Sequence, residues 1–217
     1  VNMAYMFSST PFNQTISLWK VSNVQEMEGM FMDAAKFDSP LETWNVSQVF
    51  NMYRMFQNAT SFNRPLNNWN VIGVQFMDDM FSYASSFNQP LDKWILGSVG
   101  LTGMFSYATK FNGNISTWDV SQVTDLNSIF YLATNFNQPL NNWDVSSVTN
   151  MTSLFEKAFT FNQPLDKWNV GKVEFFDYTF SSTAFNQNIS SWKINENTQV
   201  SMKGMFMNST KFNSPLD

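Results

Sequence analysis

Apolar and polar positions along the chain repeat with a period of about 25 residues. In one part of each period the apolar residues are spaced by three, three, one and three positions. One such series is Val148, Met151, Leu154, Phe155 and Ala158. This spacing is the apolar stripe of an amphipathic helix about three turns long. Ser146 stands where its hydroxyl would cap the start of that helix. The pattern predicts one short helix in every period.

A different pattern follows and predicts a short strand. Leu165, Trp168 and Val170 have the spacing of the core positions in leucine-rich repeats. Because strand side chains alternate, Trp168 and Val170 would point inward, while Lys167 and Asn169 would point outward. Tryptophan rings can also form a surface platform for sugars, and that alternative stays open. The spacing favours a buried tryptophan column in which each indole N–H finds a partner.

The eight tryptophans show how regular the period is. They are separated by 25, 25, 25, 24, 25, 25 and 24 residues. Such self-similarity indicates stacked turns in which each repeat relies on its neighbours for a core. We predict one continuous α/β solenoid over residues 1–217, a leucine-rich-repeat-like right-handed array of about nine turns. A short parallel strand would form one face and a short helix the other. Both ends fall within a repeat, which predicts a segment of a longer protein.

Length changes are confined to one part of the period. The distance from the phenylalanine before each tryptophan to that tryptophan is always seven residues, as from Phe12 to Trp19. The interval from Val99 to Phe105, in contrast, is one residue shorter than its counterparts. Backbone-paired strands cannot absorb a one-residue slip. The strand side is therefore predicted to be rigid and the helical side tolerant of length changes.

Asparagine follows that phenylalanine in every repeat except one, where Asp38 stands instead. A row of amides one turn apart can form a hydrogen-bonded ladder or satisfy backbone groups at a tight corner. A row that binds a ligand is the alternative. The predicted ladder residues are Asn63, Asn88, Asn112, Asn137, Asn162 and Asn186.

The outward positions beside the tryptophans form the predicted ligand-binding face, and a solvated face without a ligand is the alternative. Asp119 and Asp144 would be neighbours there, and such a like-charge pair is costly unless it is solvated or bridged by a cation. Two carboxylates are too few to predict a metal site. The predicted binding residues are Asn45, Asn68, Asn70, Asp119, Asn142, Asp144, Lys167 and Asn169.

Several Asn-x-Ser/Thr sequons occur, and a glycan needs an outward asparagine. Asn58 and Asn208 share a position just after the phenylalanine of the predicted helix. Asn13 lies in the predicted asparagine ladder, where a glycan would break the row. In a secreted eukaryotic protein, glycosylation is therefore predicted at Asn58 or Asn208 before Asn13.

Composition narrows the function classes. The chain is 43 % hydrophobic, with 23 Phe, 14 Met and 8 Trp, which is enough for a continuous core. A net charge of −5 with only 12 Lys and Arg argues against nucleic acid as a partner. No apolar run reaches the roughly 18 residues of a bilayer span, so direct membrane insertion of this segment is not expected.

Catalysis is also not expected. The chain has no Cys and no His, which excludes disulfides, thiolate nucleophiles and zinc sites of the usual kind. Its polar residues repeat in rows, whereas an active site needs unlike groups that converge in a cleft. No turn departs from the pattern enough to predict a pocket. We predict no enzymatic activity, no cofactor and no metal.

The phrases over residues 136–146 and 148–155 closely resemble the bacterial surface protein 26-residue repeat, a domain of unknown function related to BspA-like leucine-rich repeats. The resemblance covers the whole chain, although the spacing here is mostly 25 residues. It implies an extracellular or cell-surface array, sometimes associated with adhesion, and it carries no shared catalytic residues.

Two functional hypotheses follow. The first is a non-catalytic surface scaffold that binds a protein or a glycan through its strand face. The alternative is a structural subunit of an extracellular filament, appendage or coat, which self-associates through packing of solenoids. Sparse charge, at 13 % of residues, favours the alternative because it reduces repulsion between copies.

Overall fold

The computed structural model describes residues 1–196 and 198–216, which form a stack of irregular turns. Within these ranges there is no helix and no strand longer than a single bridge. Neighbouring turns are joined by seven isolated parallel bridges. The prediction of an α/β solenoid with one helix and one strand per turn is therefore wrong. The bridged residues are Asn2, Glu26, Asn51, Phe76 and Gly100, and then Asp125, Asn150, Phe175 and Ser201.

The segments predicted as helices are runs of tight turns. The Met30 N–H donates to Met27 O three residues back, whereas the Phe31 N–H donates to Met55 O in the next turn of the stack. An α-helix would direct both groups to the fourth residue back. Gly29 lies in the left-handed region at φ +54°, which no helix interior tolerates. We call residues 25–34 and their equivalents the turn wall.

Each turn of the wall contains two left-handed residues, four positions apart, and these residues form two rows along the stack. Fifteen of the described residues in this conformation are not glycine. The tight turns bury the same apolar stripe that a helix would bury, since Met151, Leu154 and Phe155 are all fully buried. Ser146 has no helix to cap, and its N–H donates instead to Asp144 Oδ1 at 3.0 Å.

Leu132 is the least suited residue in these rows, which leads to a prediction about stability. It adopts φ +57°, whereas Asn58 and Asn208 hold the same place in their own turns at φ +56° and +59°. The left-handed conformation costs most residues about 1–2 kcal/mol, and asparagine tolerates it better. Leu132→Asn should therefore raise the free energy of unfolding by about 1 kcal/mol in urea titrations. Leu132→Ala is the control, because it removes the side chain and keeps the strained Cβ. Equal stability of the two variants would exclude backbone strain as the cause.

The predicted strand is also wrong in its position. Within the described residues, the Trp–x–Val segments make no backbone hydrogen bond to another turn. The bridges lie farther along, in most turns at the second residue after the next valine, as at Asn51 after Val49, and at the first residue after Val99 and Val200. The predicted alternation of exposure is nevertheless present. Trp168 and Val170 are buried, and the residues between and before them are exposed.

The core consists of aromatic columns that run through the whole stack. Phe130 stacks on Phe105 and Phe155 of the adjacent turns, with ring centroids 6.0 and 5.6 Å apart. It also stacks on Phe136 of its own turn at 3.8 Å, which joins two phenylalanine columns. The tryptophans form a third column, in which Trp143 lies 6.2 Å from Trp118.

Side-chain hydrogen bonds complete the tryptophan column. The indole Nε1 of Trp168 donates to Leu140 O of the preceding turn at 2.9 Å, and Trp94 donates to Leu66 O in the same way. Trp168 is only 2 % exposed. A surface platform of tryptophans for sugars is therefore excluded along the buried part of the column.

The rigid backbone pairing lies on the turn wall and not on the tryptophan side. This reverses the predicted assignment of rigid and tolerant sides. The constant seven-residue spacing before each tryptophan has another cause, because that segment is held by indole and asparagine side chains. The one-residue deletion after Val99 falls on the paired wall, and no bridge joins Gly100 to Asp125 in the described part of the chain.

Candidate binding surfaces

All eight residues predicted to form the binding face lie on the surface. Each is exposed, while the tryptophan and valine side chains between them are buried. The face is therefore polar and lies directly over the aromatic core. The exposed residues are Asn45, Asn68, Asn70, Asp119, Asn142, Asp144, Lys167 and Asn169.

The row of residues immediately after the tryptophans is occupied by local turns. Asn45 Oδ1 accepts the Ser47 N–H at 3.1 Å, and Asn70 Oδ1 accepts the Ile72 N–H at 3.3 Å. The same bond is made by Asp119, Asp144 and Asn169. Such bonds close short turns and are a common use of Asn and Asp. The oxygens of this row are therefore already partly used within the protein.

The hydrogen bonds of these local turns also lower the pKa values of Asp119 and Asp144. Hydrogen bonds from Ser121 hold the pKa of Asp119 below its usual range, and hydrogen bonds from Ser146 do so for Asp144. No group of three or more acidic or other metal-binding side chains occurs among the described residues. The two carboxylates serve their own turns and do not converge on a common point.

The row immediately before the tryptophans contains a duplicated arrangement. Lys93 Nζ lies 3.4 Å from Asn68 Oδ1, and its backbone N–H donates to Asn67 Oδ1 at 2.9 Å. Asn67 Nδ2 in turn donates to Asp92 Oδ1 at 2.8 Å. We call Asn67, Asn68, Asp92 and Lys93 the first polar cluster.

The second polar cluster repeats these contacts three turns later. It consists of Asn141, Asn142, Asp166 and Lys167. Lys167 Nζ lies 3.4 Å from Asn142 Oδ1, and Asn141 Nδ2 donates to Asp166 Oδ1 at 2.9 Å. At about 4.8 Å per turn the two clusters are about 14 Å apart. The sequence pattern did not predict five residues of these clusters, because the arrangement recurs at every third turn and not in neighbouring turns. They are Asn67, Asp92, Lys93, Asn141 and Asp166.

The asparagine row forms hydrogen bonds between side chain and backbone along the stack. Asn137 Oδ1 accepts the Asn162 N–H at 2.9 Å, and Asn112 Oδ1 accepts the Asn137 N–H at 2.9 Å. Gln163 Nε2 adds a second bond to Asn137 Oδ1 at 3.2 Å. Each amide oxygen thus satisfies a backbone N–H of the next turn. The same bond is accepted by Asn63, Asn88, Asn162 and Asn186.

The two asparagines predicted to carry glycans are both exposed. They adopt left-handed conformations on the turn wall, at φ +56° for Asn58 and +59° for Asn208. Asn58 Nδ2 donates to Asp33 Oδ1 at 2.8 Å. Asn13 is exposed as well, and its Oδ1 accepts the Asp38 N–H at 2.9 Å within the asparagine row.

A cleft of about 580 Å³ opens beside the deletion after Val99, although no pocket was predicted from the sequence. Asp78 reaches across it, since Asp78 Oδ1 accepts the Thr102 N–H at 2.9 Å. A Cβ at Gly100 would lie against the Asp78 carboxylate, so that the Asp78 side chain would have to move to make room for it. The cleft walls are formed by Gln75, Phe76, Asp78, Ser98, Val99, Gly100, Thr102, Gln122, Val123, Thr124 and Asp125.

Next to this cleft, Asp79 gives a pH-dependent prediction. Burial raises the pKa of Asp79, while the hydrogen bond from Arg54 Nε at 3.4 Å opposes the rise. A raised carboxyl pKa means that the folded state binds the proton more tightly than the unfolded state. The free energy of unfolding therefore falls as the pH rises above the ordinary Asp pKa of about 3.9.

Asp79→Asn should thus be more stable than the parent protein at pH 7, and the difference should disappear near pH 3. Urea titrations at the two pH values measure it. Asp33→Asn is the control, because Asp33 is also left-handed at φ +58° but is exposed. A stabilisation of Asp79→Asn that is unchanged at pH 3 would contradict a role of the charge.

Comparison with known proteins places the chain in a family. The family model described as "Mycoplasma protein of unknown function, DUF285" matches residues 1–102 and again residues 99–217. No curated protein and no solved structure matches the chain. None of the described residues forms an apolar helix of bilayer-spanning length. Since the two matches together extend from the first residue to the last, the chain belongs to the DUF285 family of repeat proteins.

Proposed function

We propose that this protein is a non-catalytic extracellular or cell-surface scaffold that binds a protein or a glycan. The relation to BspA-like leucine-rich repeats is part of this proposal. The observation that carries it is the duplication of the polar clusters on the exposed face. Two copies of one arrangement of ammonium and amide groups suit a ligand that has repeating acceptor groups.

The chemistry of the clusters supports an acceptor-rich ligand. Lys93 and Lys167 are exposed, and each ammonium has two further N–H groups beyond its contact with an asparagine. The Nδ2 groups of Asn68 and Asn142 have no hydrogen-bond partner among the described residues. Each cluster therefore offers several donors outward. Hydroxyl and carbonyl oxygens of glycans or peptides are their natural partners.

The spacing of the clusters supports simultaneous binding at both. Linking two weak contacts on a rigid frame raises the overall affinity without any new contact. Because the aromatic columns fix the turns, the distance of about 14 Å between the clusters is constant. A ligand whose repeat fits that distance gains from both clusters.

The test uses the purified chain and fixed epithelial cells as the probe. The parent protein should bind the cells, and Lys93→Ala/Lys167→Ala should lose most of that binding, with each single variant in between. Lys36→Ala/Lys110→Ala is the matched control, because it removes two exposed lysines that are also three turns apart. Protease treatment of the cells would abolish binding to a protein ligand, and periodate treatment would abolish binding to a glycan. Equal loss in both double variants would refute the role of the clusters.

The structural alternative is a subunit of a filament, appendage or coat. It is supported by the low charge content of 13 %, which limits repulsion between packed copies. Electron microscopy of the purified protein separates the two proposals. Single short rods support the scaffold, and regular polymers support the filament.

A further inference from the structure

The backbone hydrogen bonds of the turn wall are interrupted at one step of the described stack. In the regular pattern the Gln75 N–H donates back to Phe50 O at 2.8 Å, and the Met52 N–H donates forward to Phe76 O at 2.9 Å. The equivalent donors at the interrupted step are the N–H groups of Thr124 and Leu101. Neither has a hydrogen-bond partner in the described residues.

The deletion after Val99 explains the interruption. In a complete turn, two consecutive residues share the pairing: one carbonyl accepts from the next turn and the following carbonyl accepts from the preceding turn. Gly100 takes both places at once. Its N–H donates to Gln75 O and its C=O accepts from the Met77 N–H, so both groups face the preceding turn. The carbonyl of Val99, one residue earlier, accepts no hydrogen bond from the Thr124 N–H in the described chain.

The cleft therefore contains backbone groups that the rest of the wall pairs. The Thr124 N–H is a free donor, and Asp125 C=O is the acceptor that the Leu101 N–H would reach in a regular step. Unpaired backbone groups are costly unless another molecule satisfies them. A hydroxyl can do so, because one oxygen both accepts and donates a hydrogen bond.

The other walls of the cleft suit the same chemistry. The Phe76 ring is 47 % exposed and offers an apolar face for the C–H groups of a sugar ring. Gln75 and Gln122 supply amide groups, and Asp78 Oδ2 is a carboxylate oxygen without a hydrogen-bond donor in the described chain. The volume of about 580 Å³ lies within the range of small-ligand sites.

We propose that this cleft binds a neutral carbohydrate, with a sugar hydroxyl between the unpaired backbone groups and a ring face on Phe76. Asp78 and Asp125 in its walls disfavour an anionic sugar. The cleft shares no residue with the two polar clusters. This site and the proposed function can therefore fail independently.

The experiment is an NMR titration of the ¹⁵N-labelled chain with four neutral trisaccharides: maltotriose, cellotriose, mannotriose and chitotriose. At least one should shift the amide signals of Thr124 and Leu101 in a saturable manner. Phe76→Ala should weaken that binding roughly three- to tenfold. Phe175→Ala is the matched control, since Phe175 holds the same place in its turn and is 45 % exposed.

A second variant restores the residue that is missing from this turn. One Asn inserted between Gly100 and Leu101 restores the length of the turn and places an asparagine where Asn51 and Asn150 stand in theirs. It should pair Thr124 and Leu101, raise the melting temperature and abolish sugar binding. The higher melting temperature shows that loss of binding is not loss of folding.

Three results would overturn the proposal. The first is that none of the four trisaccharides shifts Thr124 or Leu101 at 10 mM, a concentration on the order of a weak-site Kd, so that the cleft holds solvent alone. The second is undiminished binding by the insertion variant. The third is binding of trialanine, and of no sugar, which would assign the cleft to a peptide.

Discussion

Phe130→Ala is expected to lower the free energy of unfolding by about 3–5 kcal/mol, the largest effect of any single substitution considered for this chain. The ring is fully buried and packs against four other rings, those of Phe105, Phe136, Trp143 and Phe155. Its removal leaves a cavity that a stack of short turns cannot close, because each neighbouring ring is itself held between two others. Urea titration monitored by tryptophan fluorescence measures the change.

The control is Phe159→Ala, which removes a phenylalanine that is 54 % exposed in the next turn. Its expected effect is within about 0.5 kcal/mol, as for ordinary surface substitutions. Because each turn contacts only its neighbours, Phe130→Ala should also broaden the transition. If the two substitutions cost the same, the aromatic columns do not hold the stack together.

Asn137→Ala is expected to have the second largest effect, a loss of about 1–3 kcal/mol. The substitution removes the acceptor for the Asn162 N–H at 2.9 Å and for Gln163 Nε2 at 3.2 Å. No other oxygen of the described chain replaces it at that corner. The methyl group of alanine leaves both donors unpaired, which costs more than the bonds contribute when they are present.

The matched control is Asn137→Asp, which keeps an oxygen in the same place. Asp38 supports this choice, because its Oδ1 accepts the Asn63 N–H at 2.9 Å in another turn of the same row. Asn137→Asp should stay within about 1 kcal/mol of the parent protein. Hydrogen exchange of the Asn162 amide is the direct measurement. Unchanged protection in Asn137→Ala would contradict the assigned bond.

The buried residues could be predicted from the sequence more accurately than the backbone conformation. The stripe from Val148 to Ala158 is buried as expected, and so is the tryptophan column. The backbone differs because two left-handed residues per turn, such as Ser153 and Lys157, bring the same positions inward without a helix. Spacing of three and four residues does not distinguish these conformations. Glycine in a sequence can indicate a left-handed conformation, whereas serine and lysine do not indicate one.

The surfaces could be predicted only in part, for two physical reasons. Alternation around each tryptophan correctly placed residues such as Asn142 and Lys167 on the surface. The contacts of Asn67 with Asp92 and Lys93 depend on which residues meet in two adjacent turns, and the same combination recurs three turns later. The cleft results from a missing residue near Gly100, and from the sequence pattern that length change was predicted to lie in a tolerant helix. Pairing between turns, which the deletion breaks, is not visible in a single period.

The interrupted step at Gly100 has a mechanical consequence. When such a stack is pulled from its two ends, the load passes through every interface between turns in series. The interface between the Gly100 and Asp125 turns has three backbone hydrogen bonds in the described chain, whereas each of the two neighbouring interfaces has six. Under tension the array should therefore separate there first, into two pieces of similar length. A cleft that opens under load would expose the Thr124 amide further and uncover the amide of Leu101, a residue that is otherwise fully buried. Ligand occupancy at this step would then depend on the applied force.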